Sequence, residues 1–371
     1  MNKGISNPGQ ACRLLYVVGQ LRPGGLERQL HLLLQGMDRE RYLPAVVVWS
    51  FREEEIYVRL IRDLGISLYP IDPGMSPFAK LIAFRHLVAQ IKPEVVHSYS
   101  FHTNLPAWSA TLGTSALAIG AVRSSLECEK SCGLMLGILS ARWPRTQIYN
   151  NLAAAQTARN HGGLFVPRRI SVVRNGIDLK QFQKFPLTSN GRARILGIGS
   201  LFELKRWDRL LKAALDLKTM GLDFEVEIVG GGPLRDSLQQ LAQDLGVMDV
   251  VKFTGHADDV PSLLASSTFL VHTSDIEGCP NVVMEAMACA RAVVATNVGD
   301  IPLIVDNGKT GFIVGCADHA QLVECLATLI ANRDLCNKMG EAGRTKAEQE
   351  FGIARLVQET FDAYKQAGWT G

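Results

Sequence analysis

Short apolar runs alternate with amphipathic stretches along the chain. The first run, residues 12–18, is apolar from Leu14 onward, which is typical of a strand buried on both faces of a parallel sheet. Similar runs predict strands at residues 45–49, 67–71, 95–97, 116–122, 170–173, 194–198, 223–229, 250–253, 269–272 and 292–296. Helical stretches are predicted between them: one ending at Met37, one around Arg59, 77–91, one ending at Lys218, 281–290, several from Asp318, and 353–367. This alternation predicts doubly wound parallel sheets with crossover helices.

The chain is long enough for two domains. Its 371 residues can form two cores of ordinary size. Asn175-Gly176 is a strong turn signal, and the polar stretch 184–192 is typical of a linker. We therefore predict a first domain at residues 1–185 and a second at 186–352, with the last helix, 353–371, packing back on the first.

Composition indicates a globular protein that acts in the cytoplasm. Apolar residues make up 47% and charged residues 20%, and no window approaches the roughly 18 uncharged apolar residues needed to span a bilayer. Residues 1–11 form a polar, loose tail without the apolar region of a secretion signal. The eight cysteines include no Cys-x-x-Cys pair and no zinc spacing with histidine, so we expect buried thiols and no metal site.

Charge is distributed unevenly along the chain. Residues 1–185 contain 22 Lys and Arg against 12 Asp and Glu, whereas residues 186–371 contain 17 against 24. The basic half predicts an anionic partner, either a lipid-phosphate acceptor or the inner surface of the cell membrane, with peripheral association there. The alternative is a chance difference between two solvated surfaces. No nucleic-acid partner is predicted.

Two glutamates separated by seven residues are the strongest candidate for chemistry. Glu277 precedes a Gly-Cys-Pro-Asn break, Pro280 and Asn281 favour a helix start, and Glu285 lies one turn further on. The amides of that first turn, at Asn281 and Val282, suit a phosphate, and a carboxylate below them suits a diol. The pattern predicts a nucleotide site. The alternative is a surface glutamate beside an unrelated helix glutamate.

Glycines and histidines lie at other strand ends. Gly24 and Gly25 allow a ligand to approach the start of the first helix, and Gly231 lies in a loop that can pack beneath a ligand. The Gly-x-Gly-x-x-Gly spacing is absent, which argues against NAD. His97 and His102 follow a strand, where open sheets bind ligands, and either acceptor contact or a structural role fits them. The apolar stretch 133–140 predicts a buried or a membrane-facing helix.

The Glu-x7-Glu spacing resembles that of retaining glycosyltransferases of family 4, in which two Rossmann-like domains of the GT-B fold face each other across a cleft. The resemblance implies that Glu285 binds the donor ribose and that Glu277 contacts the transferred sugar. Lys205 matches the lysine of a Gly-Arg-Leu-x-x-x-Lys segment that holds the donor diphosphate. Ser200 stands in place of that segment's arginine, and Arg206 is the candidate to supply the missing charge.

The resemblance also implies further contacts. The Gly24-Gly25 turn would face the donor phosphates, and backbone groups near His256 would read the base. Arg123 stands where many relatives carry a histidine, and its forked cation suits a phosphate or a carboxylated sugar.

The implied reaction moves a sugar from a nucleotide diphosphate donor, expected to be UDP-linked, to a hydroxyl of a lipid-linked or saccharide acceptor with retention of configuration. Cell-surface polysaccharide or glycolipid synthesis is the expected setting. Asp275-x-Glu277 superficially resembles a metal motif, but Lys205 and a helix end make a cation unnecessary, so no cofactor is expected. The alternatives are a nucleotide-sugar epimerase of the same architecture and a non-catalytic subunit of a polysaccharide assembly system.

Overall fold

The chain forms two compact units. The computed structural model describes residues 12–123, 134–161, 166–187 and 191–371. The first unit comprises Met1–Gly176 with Ile353–Gly371, and the second comprises Ile177–Gly352. The predicted tail at residues 1–11 and residues 188–190 of the predicted linker lie outside the described residues.

The first unit is built on a seven-stranded parallel sheet. Its strands are β1 (Cys12–Val18), β2 (Tyr42–Val48), β3 (Ser67–Pro70), β4 (Val95–Ser98), β5 (Leu117–Val122), β6 (Thr146–Tyr149) and β7 (Arg169–Val172). Its helices are α1 (Gly25–Gln35), α2 (Ile56–Asp63), α3 (Pro77–Ile91), α4 (Asn104–Thr111), α5 (Leu134–Arg142) and α6 (Leu152–His161). The strands lie in the order β3-β2-β1-β4-β5-β6-β7. The chain therefore adds strands toward one edge up to β3 and toward the other edge from β4, and the switch lies between β1 and β4.

The second unit has a six-stranded parallel sheet. Its strands are β8 (Ala193–Ile198), β9 (Phe224–Val229), β10 (Val251–Gly255), β11 (Phe269–His272), β12 (Ala292–Thr296) and β13 (Gly311–Val314). Its helices are α7 (Trp207–Thr219), α8 (Arg235–Asp244), α9 (Val260–Ser266), α10 (Asn281–Ala288), α11 (Ile301–Ile304), α12 (His319–Ala331) and α13 (Arg333–Glu350). The order β10-β9-β8-β11-β12-β13 reverses between β8 and β11.

The last helix, α14 (Ile353–Gln366), belongs to the first unit. Its apolar face contributes Leu356, Phe361 and Tyr364 to the same buried cluster as the β1 residues Leu14 and Tyr16. These side chains are covered on one side by the sheet, as expected for a helix with one apolar stripe. The C-terminal segment therefore completes the core of the N-terminal unit.

The division between the units falls after Gly176, whereas the sequence analysis placed it after Phe185. Ile177 and Phe182 are 1% and 3% exposed and pack in the core of the second unit. The Asn-Gly turn, rather than the polar stretch behind it, thus marks the change of unit.

The helix predicted at residues 133–140 is present as α5 from Leu134 onward, and residue 133 lies outside the described residues. Gly137, Ser140 and Ala141 are buried, whereas Leu136 is 66% and Leu139 39% exposed, so the helix has one buried and one exposed apolar side. In the part of the chain that the structure describes, no helix combines the length and the hydropathy needed to cross a bilayer.

Candidate active site

The second unit brings chemistry-bearing residues together where its strand order reverses. The chain leaves β8 and β11 at the same edge because parallel strands end on the same side. In open α/β sheets this switch point forms a crevice that binds ligands. Lys205 follows β8, and Glu277 follows β11, so both predicted catalytic side chains lie at the switch point.

Backbone and side-chain bonds join the two loops. A single 3-10 turn, Glu203–Lys205, precedes α7, and Arg206 adopts a left-handed conformation with φ 51° and ψ 45°. The amide of Asp275 donates to the Leu204 carbonyl at 2.8 Å, and the Thr273 hydroxyl donates to the Lys205 carbonyl at 2.9 Å. The loop after β11 is thereby held against the turn that carries Lys205.

One carboxylate oxygen of Glu277 contacts three side chains. Its Oε1 forms an ion pair with the Lys205 ammonium, accepts from the Ser274 hydroxyl at 2.7 Å, and lies 3.0 Å from His272 Nε2. The Thr296 hydroxyl, at the end of β12, donates to the Ser274 carbonyl at 2.6 Å. The carboxylate is therefore fixed by residues from three strand ends.

These contacts keep Glu277 ionised. Burial raises the pKa of Glu277, but the hydrogen bond and charge of His272 and the charge of Lys205 outweigh burial and lower the pKa to about 2. The Glu277 side chain is 12% exposed, and that of Lys205 is 24% exposed. A fixed negative group and a fixed positive group thus lie side by side at the rim of the sheet.

A second charged cluster flanks the first. Arg206 donates to Asp208 at 2.9 Å and to Asp275 at 2.9 Å, and Arg209 pairs with Asp275 at 2.6 Å. Burial raises the pKa of Asp275, but the hydrogen bonds from Arg206 and Arg209 outweigh it and hold the pKa below its usual value. Two carboxylates engage the Arg206 guanidinium, and its predicted contact with the donor diphosphate stays a prediction.

Two glycines are required where neighbouring loops meet. Gly299, at φ +53°, lies so close to the site loop that an added Cβ would be 2.7 Å from the Gly278 carbonyl oxygen. Gly230, at φ +151°, packs on the carbonyl of Gly199 in the loop after β8. Any side chain at these positions would separate the loops that form the site.

The helix after Glu277 starts where the sequence predicts. Pro280 precedes the first residue of α10, and Asn281 and Val282 form its partly buried first turn. Glu285 is 2% exposed, on the face of α10 that is covered by protein. Such burial favours a role in which Glu285 is shielded from water by its neighbours, and its predicted contact with a ribose stays a prediction.

The remaining predicted donor contacts lie in exposed loops of the second unit. Ser200 is exposed after β8, and its carbonyl accepts from the Trp207 indole at 3.0 Å. Gly231 faces open space. His256 follows β10 with its side chain 72% exposed, 3.5 Å from Asp258.

The first unit holds the other predicted residues. Gly24 and Gly25 are exposed at the start of α1, and the carboxylate of Glu27 lies over Gly24. Gly24 has φ −171°, a conformation open to any residue, so its backbone conformation does not require glycine. The Arg123 guanidinium carbon lies 3.9 Å from the Tyr99 ring centroid.

His97 supports the structural alternative of the sequence analysis. It is 1% exposed, and its Nδ1 lies 2.7 Å from the Tyr364 hydroxyl of α14. Burial and the charge of Arg123 lower the pKa of His97 well below its usual value, so the ring is neutral.

Sequence reasoning missed His272, Ser274, Thr296 and Arg209. His272 and Thr296 are the last residues of β11 and β12. The rule that ligands bind at the carboxyl ends of parallel strands could have identified both. Arg209, on α7, lies one turn after Arg206, which directly precedes that helix. Its pairing with Asp275 depends on a fold that brings distant segments together.

Comparisons with known proteins place this site in a familiar fold. Residues 180–346 match the family model described as glycosyl transferases group 1. The structure is similar to the crystal structure of Anabaena HepE in complex with UDP, with a TM-score of 0.82 and 18% identity over 95% of this chain and 100% of that one. It is also similar to sucrose-phosphate synthase from Thermosynechococcus elongatus, with a TM-score of 0.78 and 16% identity over 96% and 98%. With its two parallel-sheet units, the chain has the GT-B fold.

Curated relatives match over part of their length. The N-acetyl-alpha-D-glucosaminyl L-malate synthase of Bacillus anthracis is 28% identical over 195 residues, 53% of this chain and 50% of the relative. The GDP-mannose-dependent alpha-(1-6)-phosphatidylinositol monomannoside mannosyltransferase of Mycolicibacterium smegmatis is 33% identical over 190 residues, 46% and 49% respectively. The chain thus spans about half the length of the curated relatives that it matches.

Proposed function

We propose that this protein is a retaining glycosyltransferase, similar to those of family 4, that moves a sugar from a nucleotide diphosphate donor to an acceptor hydroxyl. The observation that carries the proposal is the Lys205–Glu277 pair at the switch point of the second sheet. The pair lies within the segment that matches glycosyl transferases group 1.

The charges suit the cleavage of a sugar–diphosphate bond. Negative charge builds up on the departing diphosphate, so a fixed cation stabilises the transition state more than the ground state. Lys205 supplies that cation, and the amides of Asn281 and Val282 at the start of α10 add partial positive charge. Glu277, held by His272 and Ser274, contacts the hydroxyls of the transferred sugar.

We expect the reaction to proceed without a divalent cation. Asp275 pairs with Arg206 and Arg209, and Glu277 pairs with Lys205, so both carboxylates of the Asp-x-Glu sequence already have cationic partners. A metal ion would have to displace those cations from both oxygens. Treatment with EDTA should leave turnover unchanged, and complete loss that manganese restores would contradict this expectation.

A UDP-linked sugar is the expected donor. Three similar crystal structures are described as complexes with UDP, with UDP and glucose, or with UDP-glucose, whereas three relatives are named as GDP-mannose-dependent. The acceptor is proposed to be a lipid-linked or saccharide hydroxyl used in polysaccharide or glycolipid synthesis, at the inner face of the cell membrane.

A panel of nucleotide diphosphate sugars tests the proposal. A donor that binds only the folded state should raise the melting temperature, and the hit should then be supplied with candidate acceptors. Lys205→Ala should slow transfer even at saturating donor. Conversion of the donor into an isomer without any acceptor would instead indicate an epimerase, and a variant as active as the parent would contradict the role of Lys205.

A further inference from the structure

The first unit contains an apolar cavity that the proposed transfer reaction does not explain. Its volume is about 380 Å³, and α3, α4 and α5 frame it. Its apolar lining includes Trp49, Leu81, Phe101, Leu105, Pro106 and Leu136. A saccharide would leave most of its hydroxyls unpaired against such walls, whereas a hydrocarbon chain would not.

One end of the cavity lies at the carboxyl edge of the sheet. Trp49 directly follows β2, and its amide donates to the Val18 carbonyl at 2.8 Å. His102, which also lines the cavity, lies close to the loop after β1, because a Cβ added at Gly19 would be 2.6 Å from its Nε2. The loops after β1 and β4 meet at the switch point of this sheet.

A buried cation lies at the same end. Lys80 is 7% exposed, and its ammonium donates to the Trp49 carbonyl at 3.0 Å. No carboxylate of the described residues forms an ion pair with it. A buried ammonium without a counter-ion is costly, and an anionic group beside it would remove that cost. The three framing helices carry Lys80, Arg85 and Arg142 and no acidic residue.

Exposed apolar side chains lie on two of the helices that frame the cavity. Leu136 on α5 lines the cavity and is 66% exposed. Phe78 and Ile82 on α3 are 73% and 44% exposed, each next to a residue that lines the cavity, Pro77 and Leu81 respectively. Large apolar groups grouped on a surface mark an interaction site. Here they would accompany a chain that leaves the cavity.

We propose that this cavity binds the hydrocarbon chain of a single anionic lipid, the acceptor of the transfer reaction, with its phosphate beside Lys80 and its chain directed past Leu136. The statement that the bound lipid is the acceptor rests on the proposed function. The binding site itself can be tested without any sugar transfer. The proposed ligand is one lipid molecule inside the cavity, not the surface of a bilayer.

The first test measures binding of 2-bromododecyl phosphate, whose bromine lies next to the phosphate, to the full chain below the concentration at which the probe forms micelles. Bromine quenches a tryptophan that it contacts, so Trp49 fluorescence should fall on binding, and Trp49→Phe should remove most of the change. Ser109→Phe, which fills the cavity from α4, should weaken binding at least about tenfold. Ser67→Phe, the same change at an exposed position of β3, should bind like the parent.

The second test separates the contribution of the lipid phosphate to binding from that of the hydrocarbon chain. Lys80→Met nearly keeps the length of the side chain and removes the charge, so binding of the phosphate probe should weaken about tenfold or more while binding of 2-bromododecanol is unchanged. Equal affinities of parent and Lys80→Met for the phosphate probe would overturn the assignment of the headgroup. Inorganic phosphate alone should not compete at concentrations that saturate the lipid probe.

Bilayer adsorption has a different signature. If phosphatidylglycerol vesicles sediment the parent and Ser109→Phe equally and the soluble probe does not quench, the surface rather than the cavity binds lipid and the proposal fails. If the probe binds as described but no nucleotide sugar is ever turned over, the cavity assignment stands and the proposed function fails. If transfer to short soluble acceptors is detected without probe binding, the proposed function stands and the cavity assignment fails.

Discussion

The converging donors on Glu277 determine how its carboxylate can act. Lys205, His272 and Ser274 all contact Oε1, and none of the described residues donates to Oε2. The three contacts hold Oε1 in place and leave Oε2 able to accept a hydrogen bond. Such preorganisation lowers the reorganisation that a bound sugar would otherwise require.

Replacing Glu277 should affect both activity and acid stability. The folded pKa of about 2 lies below the usual value of 4.5, so the carboxylate stabilises the fold above pH 4.5 and loses that effect as pH falls toward 2. Glu277→Gln should therefore flatten the fall in unfolding free energy over this window and reduce transfer at least about 100-fold. Urea unfolding at stepped pH and initial rates measure the two effects. Unchanged acid stability would contradict the ionised state assigned to Glu277.

His272 is expected to act by positioning Glu277. It is 2% exposed, and its Nε2 lies between Glu277 Oε1 and the Ser274 hydroxyl, at 3.0 and 3.2 Å. His272→Asn should lower the rate constant of transfer by up to about 100-fold with little change in the donor's KM, since a small misplacement of the carboxylate mainly affects the transition state. His319→Asn, at an exposed ion pair on α12, should leave both constants unchanged. A change in KM alone would show that His272 serves donor binding.

Some of these residues could be read from the sequence and others could not. Lys205 and Glu277 each stand in a motif with a fixed spacing, and the structure pairs them. The sequence correctly predicts that Glu285 lies one helical turn after the helix start at Asn281. It does not reveal that Glu285 is 2% exposed. The burial of a helix face depends on packing against α13, which lies far along the chain.

At the scale of elements, the site depends on loops that hold one another in place. The loop after β8 bonds to the loop after β11, and Asp300, after β12, donates its amide to the Gly278 carbonyl at 3.0 Å. None of these loops belongs to regular structure, yet each starts at a buried strand end. Rigid strands therefore position irregular loops, as in many α/β sites.

Gly299 offers a test of this arrangement against a matched glycine. Gly299 and Gly308 both have positive φ, +53° and +76°, but only at Gly299 would a Cβ collide with backbone, whereas nothing lies within 4 Å of one at Gly308. Gly299→Ala should lower the unfolding free energy by about 1–3 kcal/mol and weaken donor binding, whereas Gly308→Ala should show backbone strain alone. Denaturant unfolding and thermal shift with donor compare them. Equal effects in the two variants would show that loop contact is unimportant.

The elements that the sequence analysis did not predict are short or polar. β6 contains the fully buried Gln147, whose amide donates to the Ser140 and Ala141 carbonyls at 2.9 and 3.1 Å. A polar residue in a four-residue strand interrupts the apolar run that identifies buried strands. β13 begins with Gly311, and α9 has seven residues, too few for a clear helical period. By contrast, α3, with 15 residues, and β12, which is apolar up to its final threonine, match their predicted bounds.

For the whole molecule, the closing of the first unit by the end of the chain is a central feature. Phe361 and Trp369 contact Tyr42 at ring distances of 4.3 and 6.1 Å, and Tyr364 contacts His97 and Tyr16 through its hydroxyl. The unit therefore depends on residues 353–369 for part of its core. Phe361→Ala should cost about 3–5 kcal/mol of unfolding free energy in this unit, measured by urea unfolding. Leu43→Ala, at a side chain that is 53% exposed on β2, should change it little.

The buried histidine beneath this helix should make the stability of the whole molecule depend on pH. His97 is neutral in the folded protein, because burial and the charge of Arg123 lower its pKa well below the usual 6.5, and no described group pairs with its Nε2. The unfolded chain binds a proton there below pH 6.5, so unfolding free energy should fall by about 1.4 kcal/mol for each pH unit below that value. His97→Asn should remove this slope from melting temperatures recorded between neutral and mildly acidic pH, whereas His86→Asn, exposed on α3, should retain it. Parallel curves for the parent and His97→Asn would mean that the folded protein also protonates His97, and that the Tyr364 contact survives a charged ring.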